Sequence, residues 1–336
     1  MKKNVLIIDN WFKSKRHHLI NEISLRDDLN VTEEYNFHFN KKFNIIERLF
    51  YKLRIPLDST KFNHRILSLI NQKNFDYILV IKGNYIKQKT LDEIKSKPNI
   101  KLYHWSNDNM SKNHNTSRYF ENGIRFYDKI FTVKGYNVDK LKKKGARNII
   151  FFDKAFAKKH HFIEQFDKRF EFDILFIGSA EKDRYEKMKY LSLNGFKVNI
   201  FGNMWNKRKF KENENLIIHR APLEGKQYRQ AISSSKITLC FLRKINDDLQ
   251  TSRTYEIPAC NGFMIAERTS EHSRIYKEDK EAVFFSSKEE LLTKVKYYLK
   301  NHKKRKEIQK SGYNMIKSSK YQYMNMVNLI FNDLYK

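Results

Sequence analysis

The side chains with the clearest capacity for binding chemistry lie in one short polar stretch in the second half of the chain. Asp248 and Glu256 are its two acids, and Thr251, Ser252 and Arg253 lie between them. Carboxylates can accept hydrogen bonds from the vicinal hydroxyls of ribose or a hexose, and hydroxyls with a guanidinium can hold phosphate. A nucleotide sugar presents those groups in the same order. The alternative is a solvated polar loop leading into a helix on which Glu256 is simply exposed.

A second polar segment directly follows the apolar run 172–177. Gly178 permits close approach of the backbone, and Ser179 is placed to cap the helix that follows. Lys182 and Arg184 add two cations beside the positive end of that helix. Together these residues predict a phosphate cradle. Because the segment is neither a P-loop nor a complete G-x-G-x-x-G fingerprint, an ordinary turn after a strand is the alternative.

Three residues in the first half are candidates for a general base that takes a proton from an acceptor hydroxyl. Asp9 and Asp108 follow predicted strands, and His104 lies on one. Each also has a purely structural interpretation. Asp9 could cap a helix, Asp108 could hold a turn, and His104 could be a packed strand residue.

The cysteines and the paired histidines are not spaced as metal ligands. Cys240 lies in the apolar run ITLCFL and Cys260 follows a Pro-Ala step, so both are interpreted as packed side chains. The histidine pairs at 17–18 and 160–161 are interpreted as surface residues. We therefore predict no metal site and no disulfide framework, which fits a reducing compartment.

These residues must be positioned by alternating strands and helices. Short runs that are apolar on both faces predict central strands of parallel sheets. Their ranges are 5–8, 77–81, 101–105, 129–133, 148–152, 172–177, 198–201, 216–219, 237–242, 263–266 and 282–285. Capping-box patterns at 90–93 and 287–290 predict helix starts. The alternation indicates a doubly wound α/β architecture.

The alternation starts twice, at Val5 and again at Phe172, with a charged stretch before the second start. We predict two Rossmann-like doubly wound parallel-sheet domains that face one another across a cleft. Their boundaries, in chain order, are a first domain over 1–157, a linker over 158–171, a second domain over 172–318 and a C-terminal helix over 319–336.

The charge is strongly basic, with 67 Lys and Arg against 38 Asp and Glu, or +29. Such a field attracts nucleic acid, anionic membranes or phosphate-bearing substrates, although an A+T-rich coding sequence would give a similar composition. The basic residues are dispersed and form no helix-turn-helix, zinc-finger or RNP signature, so nucleic acid is the less favoured partner. No apolar run approaches the roughly 18 residues of a membrane span. The N-terminal run ends at Asp9, too early for a signal peptide, and a cytoplasmic protein is expected.

The run from Ser252 to Thr269, SRTYEIPACNGFMIAERT, resembles the signature of CgeB-like (spore-maturation-type) glycosyltransferases. More distantly, Asp248 and Glu256 resemble the paired acidic element of GT-B glycosyltransferases. The resemblance covers roughly residues 172 to 315 and extends more loosely to 76–83, 105–108 and 127–132. The turn after the first strand reads Asp9-Asn-Trp-Phe, where many such enzymes have a glycine-rich loop.

The resemblance implies a GT-B fold in which the C-terminal domain holds a nucleotide-sugar donor and the N-terminal domain handles the acceptor. By position, Glu256 would bind the ribose hydroxyls and Asp248 would lie near the donor sugar or diphosphate. Arg253 with the pair Lys182 and Arg184 would balance the diphosphate charge. The terminal helix would pack back on the N-terminal domain. No bound cofactor or metal is implied, and the nucleotide sugar is a co-substrate.

The implied reaction is sugar transfer to a glycan or lipid-linked acceptor in surface polysaccharide biosynthesis. Under that interpretation the lysine-rich runs at 41–42, 142–144 and 303–305 would hold the enzyme against anionic lipid at the inner face of the membrane. They could equally be a solvated face. Two alternatives stay open: a basic nucleic-acid-binding protein, and a non-catalytic sugar-nucleotide-binding protein of the same fold. The residues do not distinguish inversion of configuration from retention.

Overall fold

The computed structural model describes residues 2–12, 17–37 and 42–331. The chain forms two compact units, one of residues 1–153 with 324–336 and the other of residues 154–323. Each unit is built on a six-stranded sheet with helices between its strands. The predicted α/β class, with two doubly wound parallel sheets, is confirmed.

The first unit has the strand order β2-β1-β3-β4-β5-β6, and all neighbouring strands are parallel. The strands are β1 (Lys3–Phe12), β2 (Leu29–Phe37), β3 (Tyr77–Ile81), β4 (Lys101–Ser106), β5 (Lys129–Thr132) and β6 (Ile149–Phe151). The helices are α1 (His18–Ile23), α2 (Ile45–Lys52), α3 (Phe62–Gln72), α4 (Gln88–Ser96), α5 (Arg118–Gly123) and α6 (Val138–Lys143). Apolar side chains of β1, β3 and β4 pack against α3 and α4 to form a continuous core.

The second unit has the strand order β12-β11-β10-β7-β8-β9, again with all neighbours parallel. The strands are β7 (Ile174–Ile177), β8 (Val198–Phe201), β9 (Leu216–Ile218), β10 (Ile237–Cys240), β11 (Met264–Glu267) and β12 (Val283–Phe285). The helices are α7 (Lys182–Leu193), α8 (Gly225–Ser234), α9 (Arg253–Ala259), α10 (Ser270–Ile275), α11 (Lys288–Lys300) and α12 (His302–Ser318). Cores form on both faces of the sheet.

The last helix, α13 (Tyr323–Ile330), belongs to the first unit from Met324 onward. Phe331 packs edge-on against Tyr77, with ring centroids 5.4 Å apart. Asn328 accepts a hydrogen bond from Arg26 at 3.2 Å. Residues 332–336, the end of the predicted terminal helix, lie outside the described residues.

Every strand predicted from an apolar run is present, whereas β2 was missed. β2 carries Thr32, Glu33 and Glu34 in its middle, where the side chains are half-buried. It lies at the edge of its sheet, where one side of the strand has no partner and polar residues are tolerated. An edge strand therefore lacks the continuous apolar signal that identified its neighbours.

One of the two predicted capping boxes is wrong. Ser287 caps α11 by accepting a hydrogen bond from the Glu290 amide at 3.1 Å. Thr90, by contrast, lies inside α4, which begins at Gln88, and its hydroxyl donates to Asn63 at 2.8 Å. Within the described ranges, none of the helices has the length and apolar character that a membrane span needs.

Candidate functional site

In each sheet the chain order reverses beside the first strand, and in open α/β sheets such a switch point is where ligands bind, beyond the carboxyl ends of the strands. In the second unit the switch point lies between β7 and β10. The loops that leave these strands begin at Gly178 and Phe241. The predicted polar segments both lie at this edge of the sheet.

The turn after β7 is fixed by close packing of two glycines. A Cβ atom on Gly202 would lie 2.2 Å from the Gly178 carbonyl oxygen, so no larger residue fits there without a backbone shift. Trp205 donates its indole N–H to the same oxygen at 2.9 Å. The expectation that Ser179 caps the next helix is wrong, because α7 begins at Lys182 with Glu181 as its N-cap. Lys182 is exposed in the first turn.

Arg184 links the loop after β7 to the loop after β10 through hydrogen bonds. Its side chain is only 1% exposed, and it donates hydrogen bonds to the carbonyl oxygens of Ser179 at 2.9 Å and Leu242 at 3.1 Å. Burial lowers the pKa of the guanidinium to about 10, so it stays protonated at neutral pH. The sequence expectation placed Arg184 against a diphosphate, whereas the structure directs its N–H groups to the protein backbone.

The rim of the switch point carries further cations that sequence reasoning did not single out. The Nε atom of Arg243 lies 3.0 Å from a carboxylate oxygen of Glu181. The Lys244 ammonium lies 3.2 Å from Asp183. Both pairs join the loop after β10 to the start of α7, and they lie at the predicted phosphate cradle.

The segment between Asp248 and Arg253 is more buried than a solvated loop would be. Asp248 is 8% exposed and its amide donates to the Arg243 carbonyl oxygen at 3.2 Å. Thr251 is 4% exposed, and Ser252 is the N-cap of α9. Arg253 begins that helix; its Nη2 lies 3.5 Å from the Thr251 hydroxyl, and its buried Nε atom has no hydrogen-bond partner among the described residues.

Glu256, on the first turn of α9, is held by two side chains. The Tyr228 hydroxyl donates to one carboxylate oxygen at 2.6 Å, and the Nε2 atom of His161 lies 3.7 Å from the other. The His161 Nδ1 atom accepts from the Ala157 amide, so the neutral ring carries its proton on Nε2, facing Glu256. Burial lowers the pKa of His161, and burial together with the Glu256 charge raises the pKa of Tyr228.

The surface interpretation of the histidine pair at 160–161 is therefore half wrong. His161 is only 4% exposed, whereas His160 is exposed. The sequence around His161 gives no signal of this burial, because its partner Glu256 is far along the chain.

The switch point of the first unit, between β1 and β3, brings together Asp9 and Asp108. A cavity of about 300 Å³ lies there, and both carboxylates line it. The Lys82 ammonium lies 2.7 Å from Asp108. His17 lines the same cavity at the N-cap of α1, with its ring 4.6 Å from that of Trp105, so its surface interpretation is wrong.

His104 does not line this cavity. It is 1% exposed, with its ring 4.8 Å from Phe120 and 5.1 Å from Tyr127. Its Nε2 atom donates to the Lys82 carbonyl oxygen at 3.2 Å. Burial lowers the pKa of His104 to about 4, so the ring is neutral at physiological pH. The geometry matches the packed strand residue and not the general base.

The side chains that could ligate a metal are dispersed in the part of the chain that the structure describes. Across residues 2–12, 17–37 and 42–331, no three His, Cys, Asp or Glu side chains are grouped so as to hold a metal ion. Cys240 and Cys260 are both buried, and burial raises the pKa of each thiol. Both cysteines are therefore packed side chains, as predicted.

Three solved structures are similar to this chain over its full length. Sucrose-phosphate synthase (tll1590) from Thermosynechococcus elongatus has a TM-score of 0.70 at 9% identity, covering 99% of this chain and 98% of that one. Anabaena Alr3699/HepE in complex with UDP-glucose has a TM-score of 0.68 at 10% identity, with 99% of both chains covered. An alpha-glucosyltransferase in complex with UDP and a 13-mer DNA containing a HMU base has a TM-score of 0.68 at 14% identity, with 100% of both chains covered.

At such low identities the likeness establishes a shared fold, which is the GT-B fold of these glycosyltransferases. A comparison with curated proteins finds no match. The sequence itself, over residues 161–332, matches the family described as glycosyl transferase-like. That range contains the whole switch point of the second unit, and this chain belongs to the glycosyl transferase-like family.

Proposed function

We propose that this protein transfers a sugar from a nucleoside diphosphate donor, bound at the switch point of the second unit, to a glycan or glycolipid acceptor. The observation that carries the proposal is the pair of side chains on α9. Arg253 has a buried Nε–H without a partner among the described residues, and Glu256 presents a carboxylate less than one helical turn further on. A guanidinium for diphosphate and a carboxylate for ribose hydroxyls are the groups that such a donor needs.

The other residues of this edge have supporting roles in the proposal. Tyr228 and His161 orient the Glu256 carboxylate so that it can accept from ribose hydroxyls. Arg184 positions the two loops through its hydrogen bonds to their carbonyl oxygens. We propose this role in place of the direct contact with the diphosphate that the sequence predicted. Asp248, Thr251 and Ser252 line the approach to the donor sugar, with Gly178, Ser179 and Lys182 beside the phosphates. These six residues, together with Arg184, Arg253 and Glu256, are the donor-binding residues predicted from the sequence.

The proposed donor carries uridine, since the HepE and alpha-glucosyltransferase structures contain UDP or UDP-glucose. When the anomeric C–O bond breaks, negative charge develops on the departing diphosphate. Fixed cations stabilise that charge most strongly in the transition state, because they need no reorganisation as the charge appears. Arg253 and the rim residue Arg243 are the cations that this step would use, and we propose that it requires no bound metal or other cofactor.

The acceptor side of the proposal rests on the first unit. Asp9 and Asp108 share one cavity, and Lys82 keeps a positive charge beside Asp108. Either carboxylate could accept the proton of an acceptor hydroxyl, whereas His17, which lines the same cavity, accepts from the Leu19 amide through Nδ1 and so carries its proton on Nε2. Of the original three candidates, His104 is withdrawn because it is packed in the core.

The biological setting completes the proposal. The motif from Ser252 to Thr269 supports placement near the CgeB-like enzymes and a role in surface polysaccharide biosynthesis. The net charge of +29 supports a cytoplasmic protein held at the inner face of the membrane by anionic lipid.

The decisive experiment is calorimetric titration of the wild type and two variants with UDP, GDP and TDP. Glu256→Gln keeps the shape of the side chain but weakens it as an acceptor, so the affinity for UDP should fall roughly 10- to 100-fold. Glu186→Gln, at an exposed position on α7, is the matched control and should bind UDP like the wild type.

Binding of no nucleoside diphosphate by the wild type would contradict the proposal, and so would an unchanged affinity in Glu256→Gln. Donor binding without release of UDP from UDP-glucose, in the presence of any glycan acceptor, would favour the non-catalytic alternative. Salt-sensitive binding to oligonucleotides in place of UDP would favour the nucleic-acid alternative.

A further inference from the structure

A second and larger cavity lies beside the first one in the N-terminal unit. Its volume is about 630 Å³, within the usual range for small-molecule sites. Most of its lining is apolar, and the apolar and aromatic side chains are Phe37, Phe43, Ile45, Leu49, Tyr51 and Tyr85. Such a surface suits a hydrocarbon or aromatic group better than a bare sugar.

One wall of the cavity is an amphipathic helix with apolar side chains left uncovered. α2 begins with a capping box in which Asn44 accepts from the Glu47 amide and Glu47 accepts from the Asn44 amide. Ile45 is 83% exposed and Leu49 is 54% exposed, although both line the cavity. Exposed apolar side chains at the edge of a cavity gain free energy when an apolar ligand covers them.

The polar part of the cavity lining includes a buried asparagine. Asn84 is 3% exposed, its amide group donates to the Asn115 carbonyl oxygen at 2.9 Å, and its side-chain oxygen has no partner among the described residues. Asn10, which is also buried, lines this cavity together with Asn84. The Asn84 side-chain oxygen is enclosed by protein atoms, and the bond from its amide group to the Asn115 carbonyl oxygen holds this part of the cavity wall in place.

The two cavities of the first unit are adjacent. Asn10 and Lys82 line both of them. A ligand whose apolar part fills the larger cavity therefore carries its polar end toward Asp9 and Asp108, the carboxylates proposed as bases. That geometry is the one an acceptor needs.

We propose that the larger cavity binds the glycosyl acceptor, and that this acceptor is an amphiphile whose apolar chain adjoins a hydroxylated head. The apolar chain lies against α2 and Phe37, and the hydroxylated head lies toward Asn10 and Lys82, which line both cavities. This inference rests on the proposed function, because it names the acceptor class of the same reaction.

The test is calorimetric titration of the full chain with octyl glucoside, below the concentration at which it forms micelles, and with glucose. The wild type should bind octyl glucoside at least tenfold more tightly than glucose. Leu49→Gln should abolish most of that preference. Ile46→Gln is the matched control, because Ile46 is 56% exposed on the same helix but does not line the cavity.

Equal affinities for octyl glucoside and glucose would overturn the inference, and so would equal losses in both variants, which would indicate adsorption to the helix surface. UDP is titrated in parallel. If UDP binds and octyl glucoside shows no preference, the amphiphile inference fails while the proposed function stands. If octyl glucoside binds as expected and no nucleoside diphosphate binds, the cavity stands and the proposed function fails.

Discussion

The two sheets of this protein reach their switch points in different ways. In the second unit two strands, β8 and β9, lie beyond the first strand, and the gap beneath the loops is filled by Arg184. In the first unit only β2 lies beyond the first strand, and the adjoining space, walled by α2, is open as a cavity. The same α/β architecture thus gives one switch point whose loops are joined by a buried arginine and one that adjoins an apolar cavity.

Each switch point also has a cation, and the two cations have different roles. Arg184 is 1% exposed and bonds backbone carbonyl oxygens, so it is part of the fold. Lys82 pairs with Asp108 in a half-buried ion pair at the edge of a cavity, so it is available to a ligand. The difference shows that a lysine or arginine that follows a strand in the sequence does not necessarily contact a ligand.

The largest expected effect is on stability at the second switch point. Arg184→Met leaves the carbonyl oxygens of Ser179 and Leu242 without their donors and should lower the free energy of unfolding by about 4 kcal/mol. Lys82→Met removes a half-buried ion pair and should cost less than about 1 kcal/mol. Urea denaturation of both variants measures the contrast. Similar losses for the two would show that the distinction between the switch points is false.

The glycine contact at the second switch point gives the next largest effect. Gly202→Ala places a Cβ atom against the Gly178 carbonyl oxygen at a φ of +144°, and should cost about 3 kcal/mol. Gly195→Ala has a φ of +83° and no atom within 4 Å, so about 1–2 kcal/mol is expected. If both variants unfold at the same urea concentration, close packing does not hold this turn.

Catalysis should depend on the first switch point in a way that donor binding does not. Replacing the carboxylate that acts as base, in Asp9→Asn or Asp108→Asn, should lower kcat roughly a hundredfold, about 2.7 kcal/mol in the barrier. The affinity for UDP should be unchanged, because both residues belong to the first unit. Steady-state assays of UDP release, with UDP titrations as the control, measure both. Full activity in both variants would contradict the assignment of the base to this cavity.

The smallest effect concerns pH and applies to one buried histidine in each unit. Burial lowers the pKa of His104 and of His272 to about 4, while the unfolded chain protonates near 6.5. Between these values the unfolded state binds more protons, so stability falls as the pH decreases from about 6.5 to about 4. Each histidine should cost about 2 kcal/mol by pH 5.

Urea unfolding at pH 7 and pH 5 measures this loss in the wild type. His104→Gln and His272→Gln should each show a smaller loss between the two pH values. His64→Gln, at an exposed position, should lose as much as the wild type. An undiminished loss in both buried-site variants would assign the acid sensitivity to other groups.

The sequence by itself determined the fold class and every strand except β2. Runs such as 77–81 and 174–177 are apolar on both faces, a pattern typical of central strands in a buried parallel sheet. The acids at 248 and 256 could be read together because they are close along the chain. Short-range patterns are visible without tertiary structure.

Tertiary structure alone decided which of these side chains are buried and which are exposed. Arg184 and Lys182 are two residues apart, yet one is buried beneath the loops and the other is exposed. His161 meets Glu256, and Asn84 comes to line a cavity with α2, only because strands distant in sequence are neighbours in the sheets. Burial and partners depend on such long-range contacts, and a local sequence pattern carries no information about them.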